Sequence, residues 1–298
     1  MKRPIKRSMI FVCAAAAVCA AMCAASCTFT PAPESAAGPV KIVSFNLRRF
    51  DDAKAANRKV AGFMASLLRD ADIAALQEGL GVSEAAVREF AGLTGANRGF
   101  VLGPAQGRNA FYRENVIFVY NKDRVTLVAT AVYPDETKTF ERPPMAAYFK
   151  TAGFDFIVVN CHIKPDETTT QTTKEIASLP EAARHFTRLW QENDALIAGD
   201  LNADGAYYDE AHLAQVFPQT AWTIITGNDC DTTVSANNTF TYDRFIISKS
   251  ANEDWTGTWG VTRFDTWNEC RNITANPGVD ISDHYPVWAE FSLVNDTD

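Results

Sequence analysis

The sequence predicts an α/β (α+β) fold of four layers: two packed, mixed or antiparallel β-sheets flanked by helices. Two observations carry this. Short apolar runs rich in Val, Ile, Phe and Tyr outnumber the stretches with helical spacing. Several of those runs follow one another across short polar turns, so the chain reads as hairpin-rich, and such sheets pack face to face with the few helices outside.

Taken in order, "VKIVSFNL" (40–47) is a strand bounded by Pro39 and the polar Arg48-Arg49. Residues 54–69 form a helix, since Val60, Phe63, Met64, Leu67 and Leu68 recur at helical spacing. "ADIAALQE" (71–78) is a second strand, running from Asp72 into Glu78. A short helix covers 84–93, and 97–112 is rich in Gly and Asn, with no element assigned. "NVIFVYN" and "VTLVATAVY" are strands with a turn at Lys122-Asp123, and "MAAYFK" and "FDFIVVNCHI" pair across "TAGF". Ser178-Leu179-Pro180 starts a helix running to Trp190, with the proline near its first turn. "ALIAG" (195–199) is a buried strand that opens into a polar loop. After a long loop, "YDRFIIS" (242–248) and "HYPVWAEFSL" (284–293) close the fold.

The N-terminus reads differently. "MKRPIKRSMIFVCAAAAVCAAMCAASC" has four positive charges, an apolar stretch from Met9 to Ala25 and a small-residue end, the pattern of a secretory leader over residues 1–26. Ala24-Ala25-Ser26 before Cys27 is similar to a bacterial lipoprotein cleavage box, so Cys27 is expected to carry lipid and hold the exported chain at the cell envelope. A transmembrane helix is the alternative, but the stretch is short for one. Residues 27–39, rich in Pro, Ala and Ser, read as a flexible tether, and 40–295 as one domain. Of seven cysteines, only Cys161, Cys230 and Cys270 remain beyond Cys27. Export permits a disulfide, and Cys230–Cys270 is the better-placed pair because Cys161 ends an apolar strand. No Cys/His spacing supports zinc.

The net charge is −8, and loss of the leader removes four basic and no acidic residues. Such a chain does not hold a polyanion by bulk charge, although a bound cation would let it handle phosphates.

The polar residues fall in a pattern. Asn46, Glu78, His162, Asp200 and Asn202 each end or follow an apolar run, and Asp283-His284 precedes the last one. Singly, a strand-end Asn or Asp is a turn former, a Glu is solvated and a His is a packed core residue. Buried without partners, such groups cost several kcal/mol. Five such strand ends together imply one shared polar site. His185, in a helix, and His212, in a loop, are assigned to packing or surface.

In order along the chain, "SFN", "LQE", "NCHIKP", "GDLNAD", "YDRFIIS" and "SDHYPV" resemble the successive motifs of the endonuclease/exonuclease/phosphatase superfamily, over about residues 40–293. "GPAQGRNAFYRENVIFVYN", "FERPP" and "CDTTVSANNTFTYDRFIIS" are similar to segments of its deoxyribonuclease I family. The resemblance implies a DNase I-like sandwich that hydrolyses phosphate esters with a divalent metal: Mg²⁺, with Ca²⁺ or Mn²⁺ as alternatives. It implies His162 and His284 as the acid/base pair, oriented by Glu114 and Asp243. Glu78, Asn46, Asp283 and Asp200 would face the metal, and Asp200 and Asn202 would bind metal or hold the phosphate and the attacking water. Arg142, Asn109 and Asn202 would contact substrate phosphate, with Arg108, Arg113 and the Phe111-Tyr112 pair nearby. DNA is the expected substrate and a monomer the expected state.

Two departures stand out. Gly205 and Thr239 occupy places where that family has a bridged cysteine pair, and Leu80 stands where it has a minor-groove arginine. Leu80 keeps open a phospholipid headgroup or inositol phosphate as substrate, and a surface binding protein is the non-enzymatic alternative.

Overall fold

The computed structural model describes residues 38–109 and 112–293; the leader, Cys27, most of the tether and Phe111 lie outside them. The described residues all fall in one compact unit, Ala32–Asp298. In chain order the strands are β1 (Val40–Phe50), β2 (Ile73–Gly79), β3 (Arg98–Leu102), β4 (Asn115–Asn121), β5 (Thr126–Val132), β6 (Met145–Lys150), β7 (Asp155–His162), β8 (Ala195–Asp200), β9 (Trp222–Ile224), β10 (Asp243–Ser248), β11 (Trp255–Val261) and β12 (Val287–Phe291). The helices are α1 (Asp52–Ala56), α2 (Arg58–Ser66), α3 (Glu84–Thr94), α4 (Thr170–Trp190), α5 (Leu213–Val216), α6 (Asn268–Ile273) and α7 (Pro277–Asp280).

The strands form two six-stranded sheets, in the orders β11-β12-β1-β2-β4-β3 and β5-β6-β7-β8-β10-β9. Each sheet is mixed around one central parallel pair, β1–β2 or β7–β8, with antiparallel neighbours. Alternation within strands builds the layers. Val40 and Ile42 of β1 face Phe156, Val158, Leu196, Ala198 and Phe245 in the core between the sheets. Val43, Phe45 and Leu47 face outward, under Val60, Phe63 and Met64 of α2 and Val87 and Phe90 of α3. On the other flank, Ile157, Val159 and Ile197 pack under Ile176, Leu179 and Phe186 of α4. The expected four-layer sandwich is the observed one. Among the described residues no helix is long and apolar enough to cross a membrane.

The differences from the sequence reading have local causes. The helix expected over 54–69 is two helices, because Asn57 ends α1 and accepts the Val60 N–H as the N-cap of α2. α4 begins at Thr170, which puts Pro180 inside it. The early start is held by tertiary contacts: the buried Glu175 carboxylate accepts the backbone N–H groups of Glu141 (2.9 Å) and Lys164 (3.0 Å). The strands on either side of the Lys122 turn do not pair. β4 is flanked by β2 and β3, so β5 joins the other sheet. β3 falls in the Gly- and Asn-rich stretch 97–112, and β11 between the last two expected strands; the sequence reading assigns an element to neither place. A Cβ on Gly99 would sit 2.2 Å from the Tyr120 ring, and one on Gly260 would sit 2.8 Å from Trp288. Those glycines make room for aromatic neighbours.

The expected Cys230–Cys270 bridge is not formed; Cys161, Cys230 and Cys270 are free thiols. Cys270 is packed in the helix-side core of the first sheet, whereas the Cys230 backbone is held on a loop by the Thr241 hydroxyl.

Near one end of the sandwich the inter-sheet core turns polar. Gln77 donates to Asn160 Oδ1 (2.8 Å) and Ser44 Oγ (3.2 Å), and Asn160 donates to the Leu76 and Ile117 carbonyls (3.2 and 3.3 Å). All three side chains are fully buried, so these bonds tie the sheets in one register. Asn160→Ala, which strands both carbonyls and opens a cavity, is expected to destabilise the fold by about 2–4 kcal/mol, a fall in Tm of roughly 4–16 °C. Thermal melting checks this; a change under about 1 kcal/mol would deny the bridge that role.

Candidate active site

The polar residues that cap this core come from the same alternation. On β1 the inward series Val40, Ile42, Ser44 ends in Asn46, and on β7 the series Phe156, Val158, Asn160 ends in His162. Asp200 ends the series Leu196, Ala198 on β8, and Asp243 opens the series Phe245, Ile247 on β10. His162, Asp200 and Asp243 are direct ladder partners on adjacent strands, so their side chains leave the sheet on one face. His284 joins them through an antiparallel bridge to Thr233, and the Thr232 hydroxyl accepts the Asp243 N–H at 3.1 Å.

These residues form one buried chain. Glu114 Oε2 accepts from His162 Nδ1 at 2.7 Å, and Asp243 Oδ2 accepts from His284 Nδ1 at 2.8 Å. Both imidazoles turn Nε2 toward Asp200 Oδ2, each at 3.4 Å. Asn46 Nδ2 donates to the same oxygen at 3.0 Å, while the Asn202 N–H donates to Asp200 Oδ1 at 3.0 Å. The order is Glu114, His162, Asp200, His284, Asp243, nearly symmetric about Asp200. Arg142 backs one end, donating to Glu114 Oε1 (3.2 Å) and to the His162 carbonyl (3.1 Å).

The electrostatics follow from this packing. Burial and the Arg142 guanidinium push the His162 imidazole down, but Glu114 and Asp200 outweigh them and its pKa is raised. Burial also opposes charge on His284, yet Asp243, Asp200 and Asp283 hold its pKa well above the ordinary value. Burial would raise Glu114 and Asp200, but the imidazolium charges beside them hold both below the ordinary carboxylate range. Asp243 is raised, because burial and Asp200 exceed what His284 returns. With both histidines charged, three carboxylates face two imidazoliums and Arg142, and the buried charge balances.

A cleft of about 380 Å³ opens over this chain. Glu78, Tyr112, Glu114, Arg142, His162, Asp200, Asn202, Tyr207, Tyr242, Asp283 and His284 line it. Asp200, Asp243 and His284 bring three potential ligand atoms within 4.8 Å of one another. In that trio, however, Nδ1 of His284 is committed to Asp243 and its Nε2 faces Asp200. The all-oxygen side of the cleft fits a hard divalent cation better. There Glu78 and Asp283 line the wall. Asn202 shares the Ile163 carbonyl with Arg142, its amide nitrogen donating there at 2.8 Å, which leaves its oxygen as the atom for an ion or phosphate. Asn46 is placed as a bridge between carboxylates. Its oxygen accepts the Arg48 N–H (2.8 Å), and its nitrogen donates to Glu78 (2.9 Å) as well as to Asp200.

Of the residues singled out in the sequence, Asn109 is not among those lining the cleft; its N–H is held by Glu141 at 3.1 Å. Arg108 and Arg113 border a neighbouring groove. His185 packs edge-on against Tyr133, and His212 is exposed beside Asp209. Asp283 is half-exposed and paired with Arg48 (3.2 Å). Sequence reasoning did not single out Tyr207 and Tyr242, which wall the cleft with ring centroids 5.5 Å apart, although Tyr242 immediately precedes Asp243.

Residues 43–284 match the endonuclease/exonuclease/phosphatase family. The chain is 28% identical over 264 residues to human deoxyribonuclease-1-like 1, covering 85% of this chain and 84% of that protein. It is 28% identical over 274 residues to deoxyribonuclease-1 of Gallus gallus, covering 84% and 92%. Among solved structures, TDP2 of D. rerio complexed with a single-strand DNA product superposes with a TM-score of 0.58 at 16% identity, over 86% of this chain and 99% of that one.

The hydrogen-bonded chain predicts an imidazole titration. In metal-free protein, Asp243→Asn should lower the pKa of His284, and Glu114→Gln that of His162, each leaving the other histidine less affected. Imidazole NMR resonances followed against pH read both; unmoved midpoints would show that these carboxylates do not set the histidines' charge.

Proposed function

The chain belongs to the endonuclease/exonuclease/phosphatase family, and from that membership we propose that it is an exported, metal-dependent deoxyribonuclease that cuts DNA by paired histidine catalysis. It is a phosphate-ester hydrolase of the nuclease and phosphodiesterase kind. The similarity to two deoxyribonucleases over most of their length supports DNA as the substrate. The observation that carries the catalytic reading is the pair of histidines flanking Asp200 on the floor of the cleft, each oriented through Nδ1 by its own buried carboxylate.

A phosphodiester is anionic and repels attacking water, so its hydrolysis needs charge neutralisation, a base and an acid. A divalent cation held by Glu78 and Asp283 would neutralise the phosphate oxygens when bound. Arg142 supplies positive charge from the other side, and Asn202 fixes the phosphate or the water. As the water oxygen bonds to phosphorus, one imidazole takes the water proton. As the opposite phosphorus–oxygen bond breaks, the other imidazole gives its proton to the leaving alkoxide. Exchange of protons with solvent restores the pair. Glu114 and Asp243 fix each ring's orientation and stabilise its charged form.

The same cleft would serve a phospholipid headgroup or inositol phosphate, and Leu80 is the observation that favours this second reading. Its place at the end of β2 gives a nucleic acid no positive charge. The apolar leader ahead of Cys27 supports export and lipid anchoring.

Nicking of supercoiled plasmid by residues 28–298 with Mg²⁺ tests this reading. His162→Ala and His284→Ala should each lose about 100-fold or more of the activity while staying folded at the assay temperature by far-UV circular dichroism, though with a lowered Tm because buried carboxylates lose a partner, and EDTA should abolish the wild-type activity. In cells, nicking activity of the full chain should sediment with membranes and become soluble in Cys27→Ser. Turnover of lipid or inositol phosphates without nicking would favour the second reading; near-wild-type activity in either histidine variant would remove the histidine pair.

A further inference from the structure

At the end of β1 the chain makes an unusual turn. Arg48 and Arg49 both adopt the left-handed conformation, with φ of 48° and 52°, which non-glycine residues rarely take in succession. The turn lies beside Glu78 and Asp283, and one side chain from outside the cleft holds it. Lys54, on α1, donates to three backbone carbonyls: Leu47 O at 2.8 Å, Arg48 O at 2.7 Å and Ile281 O at 2.7 Å. An ammonium has three N–H donors, and all three are used.

The first two of those carbonyls matter because of the peptide planes they belong to. A trans peptide points its C=O and N–H in opposite directions, and the described chain has no cis bond. The Leu47 carbonyl shares a plane with the Arg48 N–H, which donates to Asn46 Oδ1 at 2.8 Å. The Arg48 carbonyl shares a plane with the Arg49 N–H, which donates to Glu78 Oε2 at 2.8 Å. By holding the two oxygens on one side, Lys54 aims the two N–H groups at Asn46 and Glu78 on the other. Its third bond reaches the opposite loop. Ile281 precedes Ser282, whose hydroxyl donates to the Asn46 carbonyl (2.6 Å) and accepts the His284 N–H (3.1 Å).

We propose that Lys54 is a positioning residue for the metal-facing side of the cleft: its ammonium clamps the Leu47, Arg48 and Ile281 carbonyls, and through those peptides it fixes Glu78, Asn46 and the loop that carries Asp283 and His284. It touches neither substrate nor the reacting atoms. Burial, with Arg48 nearby, brings its pKa down to about 8, against the opposing pull of Asp283 and Glu78, so the clamp is charged at neutral pH. The inference rests on the reading of Glu78 and Asp283 as the cation-holding residues.

The test compares wild type with Lys54→Gln, which keeps two donors without the charge, and Lys54→Met, each checked for wild-type far-UV circular dichroism. If Lys54→Met does not fold, Lys54→Gln carries the comparison. The first readout is the rise in Tm on titration with MgCl₂, and the second is hydrogen exchange at the Arg48 and Arg49 amides in EDTA. The expected result is a Mg²⁺ midpoint raised about tenfold or more, with faster exchange at both amides and activity largely recovered at high Mg²⁺. A responding wild type matched by the variants in midpoint and in amide exchange overturns the assignment of Lys54 alone. A wild type with no Mg²⁺-dependent rise in Tm overturns the cation reading, and this inference with it.

Discussion

A carboxylate buried between two imidazoles is the constraint on which this site depends. Asp200 is 1% exposed, and it ends a strand whose other inward residues are apolar. A charge so placed costs several kcal/mol unless partners surround it. Here Asn46, the Asn202 amide and both histidines do so. Each histidine, charged in turn, needs its own carboxylate, which Glu114 and Asp243 supply. The buried set is therefore a solution to a solvation problem, and each member is held by the need of the next. The 3.4 Å separations at Asp200 are long for hydrogen bonds, so the two Nε2 atoms are held less tightly than the two Nδ1 atoms.

The sandwich exists to hold that row still. Three of the five members lie on adjacent strands of one sheet as ladder partners, and Asn46 reaches them from the other sheet. A slip of one residue in β7 or β8 would turn His162 or Asp200 to the opposite face. The apolar stripes beneath and the Gln77–Asn160–Ser44 bridge both oppose such a slip. Packing between the sheets and the register of the buried polar row are thus one property.

Much of this was legible in the sequence because the period-two rule runs through the site. A strand reading Val, Ile, Ser, Asn on its inward positions announces a core that turns polar at one end, and the same change at β7 and β8 marks where those strands meet. The chemical identities of Glu114 and Asp243 as partners of the histidines came from resemblance to a family; nothing in their spacing fixes the pairing. What stayed hidden depends on contacts distant in sequence. Gly99 and Gly260 look like loop until the Tyr120 and Trp288 rings are beside them. Thr170 looks like a poor place to begin a helix until Glu175 captures two loop amides. Lys54 looks like any solvated lysine of an amphipathic helix, because its three carbonyl partners become neighbours only when β1 ends in a left-handed turn.

The central claim is that two histidines, each set by a buried carboxylate, divide the proton transfers of hydrolysis. The most direct measurement is the pH dependence of plasmid hydrolysis at saturating metal and substrate for wild type, Glu114→Gln and Asp243→Asn. The expected wild-type profile is bell-shaped, with each substitution shifting a different limb toward lower pH; the limb that moves in each variant assigns its histidine as base or acid. A profile with both limbs unmoved by either substitution would contradict the claim.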